Sequence, residues 1–122
     1  LEDPAAKEAA LMRADAVYED MMKRFNNNHE YILYKRAGIA NKLDPDQSKG
    51  LAKVHYQALI DRIAPKAEKD NSDKQILVTA YHYLMAYSLI QEKDTPKAKE
   101  YAAKILEINP DYKPAQDVTN LK

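Results

Sequence analysis

The sequence contains no cysteine, no tryptophan, two glycines and one phenylalanine among 122 residues. Without cysteine the chain can form no disulfide and has no thiolate to act as a nucleophile or a metal ligand. Its 19 basic and 19 acidic residues cancel, so no long-range field favours nucleic acid or an anionic membrane surface. No apolar run approaches the roughly 18 residues that a membrane-spanning helix needs. These absences predict a soluble chain that neither binds nucleic acid nor inserts into a membrane.

The residues that are abundant favour helices. Alanine, leucine, lysine and glutamate are frequent, there are nine tyrosines, and the strand-forming residues valine and threonine are few and scattered. A chain of 122 residues has the usual length of one domain. We therefore predict a single all-α domain.

Caps and apolar periodicity predict six helices. Asp3 is the predicted N-cap of the first helix and "NNNH" its end, Ser72 and Gln75 have the spacing of a capping box, and Thr95 is the predicted N-cap of the fifth helix. The predicted helices cover about residues 4–25, 30–43, 45–64, 72–91, 95–108 and 112–120. Most connections between them are short, which favours antiparallel packing of successive helices.

An internal repeat links the odd-numbered helices. The segments "ADAVYEDMM", "AKVHYQALI" and "AKEYAAKIL" each begin with alanine, have Tyr or Ala four residues later and a large apolar residue three further on. A small first residue lets a neighbouring helix approach closely, and the larger residues fill the space beyond it. The three sets are Ala14, Tyr18 and Met21; Ala52, Tyr56 and Leu59; and Ala98, Ala102 and Ile105.

This pattern resembles the tetratricopeptide repeat (TPR) family, whose units are antiparallel helix pairs of about 34 residues. The last unit keeps the spacing of the family motif with His82, Met85, Ala86, Leu89, Ala98, Ala102, Ile105 and Pro110. The middle unit has Tyr34, Ala37, Gly38, Asn41, Ala52, Tyr56 and Leu59 in the same order. The resemblance implies helix pairs stacked as a short right-handed superhelix. Its units would be a half repeat at about 4–26, repeats at about 29–64 and 72–109, and a capping helix at about 112–120.

A narrower resemblance extends over most of the chain. The segments "RAGIANKLDPDQSKGLAKVHYQALI" and "AYHYLMAYSLIQEKDTPKAKEYAAKILEINPDY" are similar to TPR proteins exported by anaerobic gut bacteria. That resemblance implies a non-enzymatic interaction protein of the periplasm or cell envelope with a protein or peptide partner, although the residues are also compatible with the cytoplasm. Because such arrays usually need about three units, we expect either a part of a longer array or a homo-oligomer.

The segment "KLDPDQSKGLAK" has two interpretations. Asp44, Asp46 and Ser48 resemble the start of a calcium loop, but such a loop needs glycine at its sixth place and glutamate at its twelfth, where this chain has Lys49 and His55. The favoured interpretation is that Asp44 caps the third helix, followed by Pro45 in its first turn and Gln47 in a capping box, with Gly50 inside the helix.

No other residues suggest a metal, a cofactor or catalysis. His29, His55 and His82 lack the i, i+4 spacing of a helical metal pair. The sequence contains no glycine-rich phosphate loop and no serine in a nucleophile turn. We therefore predict no enzymatic activity, no cofactor and no bound metal.

The remaining candidate is a binding surface. In TPR arrays the first helix of each unit lines the concave face, and the resemblance assigns to that face Lys35, Ile39, Lys42, Tyr83, Tyr87 and Ile90. Tyrosines flanked by cations suit an extended peptide, but Tyr83 and Tyr87 could equally pack against a neighbouring helix. The alternative function is a structural spacer or oligomerisation module with no separate ligand. Burial of both tyrosines would remove the main support for a binding groove.

Overall fold

The computed structural model describes residues 3–25 and 29–122, and these residues form six helices and no strand. The all-α prediction is confirmed. The helices are α1 (Pro4–Arg24), α2 (His29–Leu43), α3 (Lys53–Ile63), α4 (Asn71–Ile90), α5 (Thr95–Ile108) and α6 (Lys113–Thr119). The predicted break at Asn26–Asn28 lies outside the described residues.

The chain divides into two compact units, Leu1–His55 and Tyr56–Lys122. In the first unit α1 packs against α2, and in the second α5 packs against both α4 and α6. Helix α3 begins in the first unit and lies mostly in the second, so the predicted repeat at 29–64 runs across the division. The stacking of repeats as a superhelix remains a prediction.

The repeated packing positions differ in burial between their copies. In α5, Ala98, Ala102 and Ile105 are completely buried, as expected for the small and large positions of a helix-packing motif. Ala52, Tyr56 and Leu59 are also buried. In α1, Ala14 and Tyr18 are only half-buried and Met21 is 36% exposed. The first copy of the repeat therefore leaves its large apolar residue at the surface.

The predicted cap at Asp44 is wrong, because residues 45–52 form a series of turns and α3 begins only at Lys53. Gln47 and Gly50 have φ values of 62° and 63°, in the left-handed region that a right-handed helix cannot contain. Asp44 is buried, and its two carboxylate oxygens accept from the backbone N–H groups of Lys49 (3.2 Å) and Leu51 (3.3 Å). Its side chain thus closes a turn rather than capping a helix, and Gly50 serves the turn.

Two predicted caps are displaced along the chain. The N-cap of α4 is Asp70, whose side chain accepts from the N–H of Asp73 at 2.8 Å while Asp73 accepts from the N–H of Asp70 at 3.3 Å. The predicted box of Ser72 and Gln75 is therefore wrong. The N-cap of α5 is Asp94, which accepts from the N–H of Lys97 at 3.1 Å. In both places an aspartate lies upstream of the predicted Ser or Thr, and aspartate is at least as good a cap.

The N-cap of α1 is confirmed, because the Asp3 carboxylate accepts from the N–H of Ala5 at 3.2 Å and a proline opens the helix. Helix α6 is one residue shorter at each end than predicted, and its N-cap Tyr112 makes no side-chain cap hydrogen bond. Among residues 3–25 and 29–122, no helix combines the length and apolar character required to cross a bilayer.

Candidate functional site

Tyr83 lies in the core of the second unit rather than on a surface. It is 4% exposed, and its ring lies 5.0 Å from the ring of Tyr56 and 6.2 Å from that of Tyr87, measured between centroids. The pairs of tilted and stacked rings are typical of aromatic packing in a core. Of the two alternatives for Tyr83, a binding face or packing against a neighbouring helix, its burial favours packing. Tyr87 is half-buried, while Ile90 is 62% exposed.

The three predicted site residues of α2 have separate surroundings within the first unit. The ammonium group of Lys35 lies 5.4 Å from the centroid of the Tyr31 ring, a cation–π contact along the helix surface. Ile39 is half-buried and Lys42 is exposed. Lys42 borders a depression of about 390 Å³ together with Pro4, Lys7, Glu8, Leu11 and Leu43. The other three predicted residues belong to the second unit.

A groove in the second unit was not predicted from the sequence. It has a volume of about 430 Å³ and is lined by Lys74, Gln75, Val78, Thr79, Ile108, Asn109 and Tyr112. The first half of α4 forms one wall, and the end of α5 with the N-cap of α6 forms the other. Its volume is in the range of small-ligand and peptide-anchor sites. Its polar lining groups are the amides of Gln75 and Asn109, the hydroxyls of Thr79 and Tyr112 and the ammonium of Lys74, and its aliphatic side chains are Val78 and Ile108.

Two short hydrogen-bonded turns shape the wall after α5. The side-chain oxygen of Asn109 accepts from the N–H of Asp111 at 3.2 Å, and the N–H of Tyr112 donates to the carbonyl of Asn109 at 3.1 Å. The side-chain amide of Gln116 donates to the carbonyl of Pro110 at 2.9 Å. These bonds fix the "NPDY" turn, so Tyr112 has a defined position at the groove.

His82 supports Tyr112 from α4. The Tyr112 hydroxyl lies 2.8 Å from Nδ1 of His82, and the two rings meet edge to face with centroids 5.7 Å apart. Burial lowers the pKa of His82 below its usual 6.5, which favours the neutral imidazole. A neutral Nδ1 can accept the hydroxyl proton of Tyr112. Tyr112, which lines the groove, is thus held in place by its hydrogen bond to His82.

The other histidines have local roles. Nε2 of His29 lies 2.7 Å from the carbonyl oxygen of Phe25. Burial, and to a smaller extent the Arg36 cation, lower the pKa of His55. Within the described part of the chain, no group of three or more His, Cys, Asp or Glu side chains is placed to hold a metal ion.

A charge cluster joins the two helices of the first unit. The Arg36 guanidinium of α2 is 15% exposed and donates to Asp15 at 2.8 and 3.2 Å and to Glu19 at 3.1 Å, both on α1. The hydrogen bond to Asp15 is the largest cause that raises the pKa of Arg36, and Glu19 contributes less. The pKa of Glu19 is lowered mainly by Lys23 and to a smaller extent by Arg36. The cluster is best explained as a structural link between α1 and α2.

The sequence contained a partial signal for the groove. Gln75 and Thr79 are four residues apart on one face of α4, and "NPDY" predicts a turn at the end of α5. What the sequence could not show is that these two features meet, because that depends on how α5 and α6 pack on α4. Comparisons with protein-family models, curated proteins and solved structures give no match to this chain.

Proposed function

We propose that this chain is a protein-interaction scaffold of the tetratricopeptide type that binds a peptide segment of a partner protein in the groove of its second unit. The proposal is supported by the spacing of the motif in α4 and α5 and by the complete burial of its small residues Ala98 and Ala102. The groove takes the role that the resemblance assigned to Tyr83 and its neighbours. On this proposal the chain has no catalytic activity of its own.

The groove lining is the observation that carries the proposal. Gln75, Thr79 and Asn109 offer amide and hydroxyl groups that match the N–H and C=O groups of a peptide backbone, and Lys74 offers a cation to an acidic side chain or a carboxylate. Val78 and Ile108 provide an apolar patch between them, which suits one aliphatic or aromatic anchor of the peptide.

A peptide-library selection tests this proposal. Random peptides displayed on phage are selected on the immobilised chain, and dissociation constants of the enriched peptides are measured by fluorescence anisotropy. We expect values on the order of 1 to 100 µM for such a small groove. Failure to enrich any peptide would contradict the proposal.

A matched pair of variants locates the binding. Thr79→Arg places a long side chain inside the groove, whereas Ala103→Arg places the same side chain on an exposed position of α5 outside it. We expect Thr79→Arg to weaken the selected peptides at least tenfold and Ala103→Arg to leave their affinity unchanged. Equal effects of the two variants would exclude this groove as the binding site.

The alternative is a structural spacer or oligomerisation module with no separate ligand. Burial of Tyr83 favours this alternative because it removes the aromatic ring from the predicted binding face. A failed peptide selection combined with a stable, folded chain would be the result expected for a spacer.

The cellular location belongs to the same proposal. The resemblance to exported TPR proteins places the chain in the periplasm or cell envelope of a Gram-negative bacterium. Fractionation of cells that produce the native protein tests this, with recovery in the periplasmic or envelope fraction as the expected result and recovery in the cytoplasm as the contradicting one.

A further inference from the structure

Helix α1 leaves a row of apolar side chains exposed, while Leu11, Tyr18 and Met22 are half-buried on another side. None of its residues is buried, and Val17, Met21 and Phe25 are 59%, 36% and 54% exposed. With Ala10 and Ala14 they follow at spacings of four, three, four and four, which places the four helical residues on one side of α1, and Phe25 follows directly as the C-cap. We call Ala6, Ala10, Ala14, Val17, Met21 and Phe25 the α1 stripe.

The side of α1 that contacts α2 is a different one, and it is partly polar. Asp15 and Glu19 bind Arg36 of α2, and Tyr18 is half-buried beside them. On a helical wheel at about 100° per residue, the stripe is centred roughly a third of a turn away from these residues. The stripe therefore lies away from the contact with α2 and is exposed except at the half-buried Ala14. An exposed apolar surface of this kind marks a site of association.

We propose that the α1 stripe pairs with the α1 stripe of a second copy of this chain in antiparallel orientation. The N-terminal half of the stripe is small (Ala6, Ala10 and Ala14) and its C-terminal half is large (Val17, Met21 and Phe25). In an antiparallel pair each small residue faces a large one: Ala6 faces Phe25, Ala10 faces Met21 and Ala14 faces Val17. This alternation fills the interface without voids, whereas a parallel pair would place alanine against alanine.

Charge complementarity favours the same orientation. Arg13 and Asp20 border the stripe on one edge, both are exposed, and Asp20 is already paired with Arg24 at 2.8 Å. In the antiparallel pair Arg13 of each copy approaches Asp20 of the other, which gives two attractive contacts by two-fold symmetry. In a parallel two-fold pair the edge that carries Arg13 and Asp20 would face the opposite edge of the partner's stripe, so these two residues would not meet. The occupant whose charges match the stripe is thus the chain itself.

Engineered cysteines test the orientation directly, because the natural sequence contains no cysteine. Ala10 and Met21 of different copies face each other in the proposed pair. Two copies of residue 10, or of residue 21, are eleven residues apart along the helix, about 16 Å, too far for a disulfide, which needs Cα atoms within about 7 Å. We expect a disulfide dimer when Ala10→Cys and Met21→Cys chains are mixed, and none from either alone. A dimer of Ala10→Cys with itself, or no dimer on mixing, would overturn the proposal.

Sedimentation equilibrium tests the surface with a matched pair of variants. Val17→Glu lies in the stripe and Met12→Glu lies on another exposed side of α1, at 59% and 57% exposure. We expect the apparent mass of the natural chain to increase with concentration toward twice the 13.9 kDa monomer mass. Val17→Glu should raise the dimer dissociation constant at least tenfold, and Met12→Glu should leave this constant unchanged. Circular dichroism checks that both variants remain helical. A monomer at all concentrations up to about 1 mM, or equal effects of the two variants, would overturn the proposal.

A charge exchange provides a rescue experiment. Arg13→Asp alone places acid against acid, and we expect it to weaken the dimer about threefold to tenfold, whereas Arg13→Asp combined with Asp20→Arg restores the attraction. A double variant weaker than the single one would contradict the antiparallel contact. The outcome is independent of the peptide groove, since all the exchanged residues lie in α1 of the first unit, so failure of either proposal leaves the other to be judged by its own experiment.

Discussion

Arg36 links α2 to α1 through an ion-pair cluster. Its guanidinium bridges two carboxylates of α1 and is largely shielded from water. We predict that Arg36→Met lowers the free energy of unfolding by about 1 kcal/mol, the upper end of the range for partly exposed ion pairs. Urea denaturation at low and high salt measures this, and the loss should shrink at high salt because ions screen the pair.

The matched control is Arg24→Met. Arg24 pairs with Asp20 on the exposed side of the same region, with side chains 70% and 57% exposed, and such pairs contribute about 0.3–0.5 kcal/mol. If removing Arg24 destabilises the chain as much as removing Arg36, the charge cluster is not the link between the two helices.

His82 makes the stability of the chain depend on pH. Burial lowers its pKa in the folded chain, so the unfolded chain binds the proton more tightly and stability is lost as the pH falls below about 6.5 toward the folded pKa. His55 contributes with the same sign. We predict a lower melting temperature at about pH 5.5 than at about pH 7.5.

His82→Phe separates the contribution of His82, because phenylalanine keeps a ring at this position but cannot titrate. The pH dependence of its melting temperature should be smaller than that of the natural chain. NMR titration of the His82 ring measures the pKa itself, and a midpoint at or above 6.5 would contradict the account.

At the residue scale, the sequence alone did not decide which individual side chains are buried and which are exposed. Tyr83 was assigned to a binding face because the motif places a concave residue there, yet the neighbouring rings of Tyr56 and Tyr87 enclose it. Tyrosine is intermediate in burial, so its environment depends on tertiary neighbours. Thr79 and Asn109 line the groove instead, and their partial signals, a helix face and a turn, do not show that the two residues meet.

At the scale of elements, Asp94 is the N-cap of α5. Its carboxylate accepts from the N–H of Lys97, which satisfies one of the unpaired donors at the helix start. We predict that Asp94→Ala lowers the free energy of unfolding by about 1 kcal/mol, as measured by urea denaturation. Thr95→Ala, at the neighbouring position that the sequence favoured as the cap, should change it by less than about 0.3 kcal/mol. The reverse order would show that Thr95 is the cap.

The helices and the N-cap of α1 were predictable, whereas the start of α3 and the N-caps of α4 and α5 were not. Apolar periodicity identified all six segments, because the 3.6-residue pattern averages over a whole element. Each start depends on one side chain, and where several Asp, Ser or Thr residues compete, as at residues 70–73 and 94–95, the sequence does not decide between them. The turn at 45–52 was missed because Gln47 adopts a left-handed conformation that glutamine rarely takes.

At the scale of the whole molecule, two surfaces divide the proposed functions. In the two proposals the groove of the second unit binds a peptide partner, and the stripe on α1 pairs with a second copy of the chain. In the last copy of the predicted repeat, Ala98, Ala102 and Ile105 are completely buried. In the first copy, Met21 is 36% exposed, so the same pattern leaves an apolar side chain at the surface.

The most direct test of the central claim is an NMR titration of the isotope-labelled chain with a peptide from the proposed selection. The account predicts chemical-shift changes concentrated at the backbone amides of Lys74–His82 and Ile108–Tyr112, together with the side-chain amides of Gln75 and Asn109. Changes confined to α1 or to the exposed face of α5, with the groove amides unaffected, would contradict the claim that this groove binds the partner.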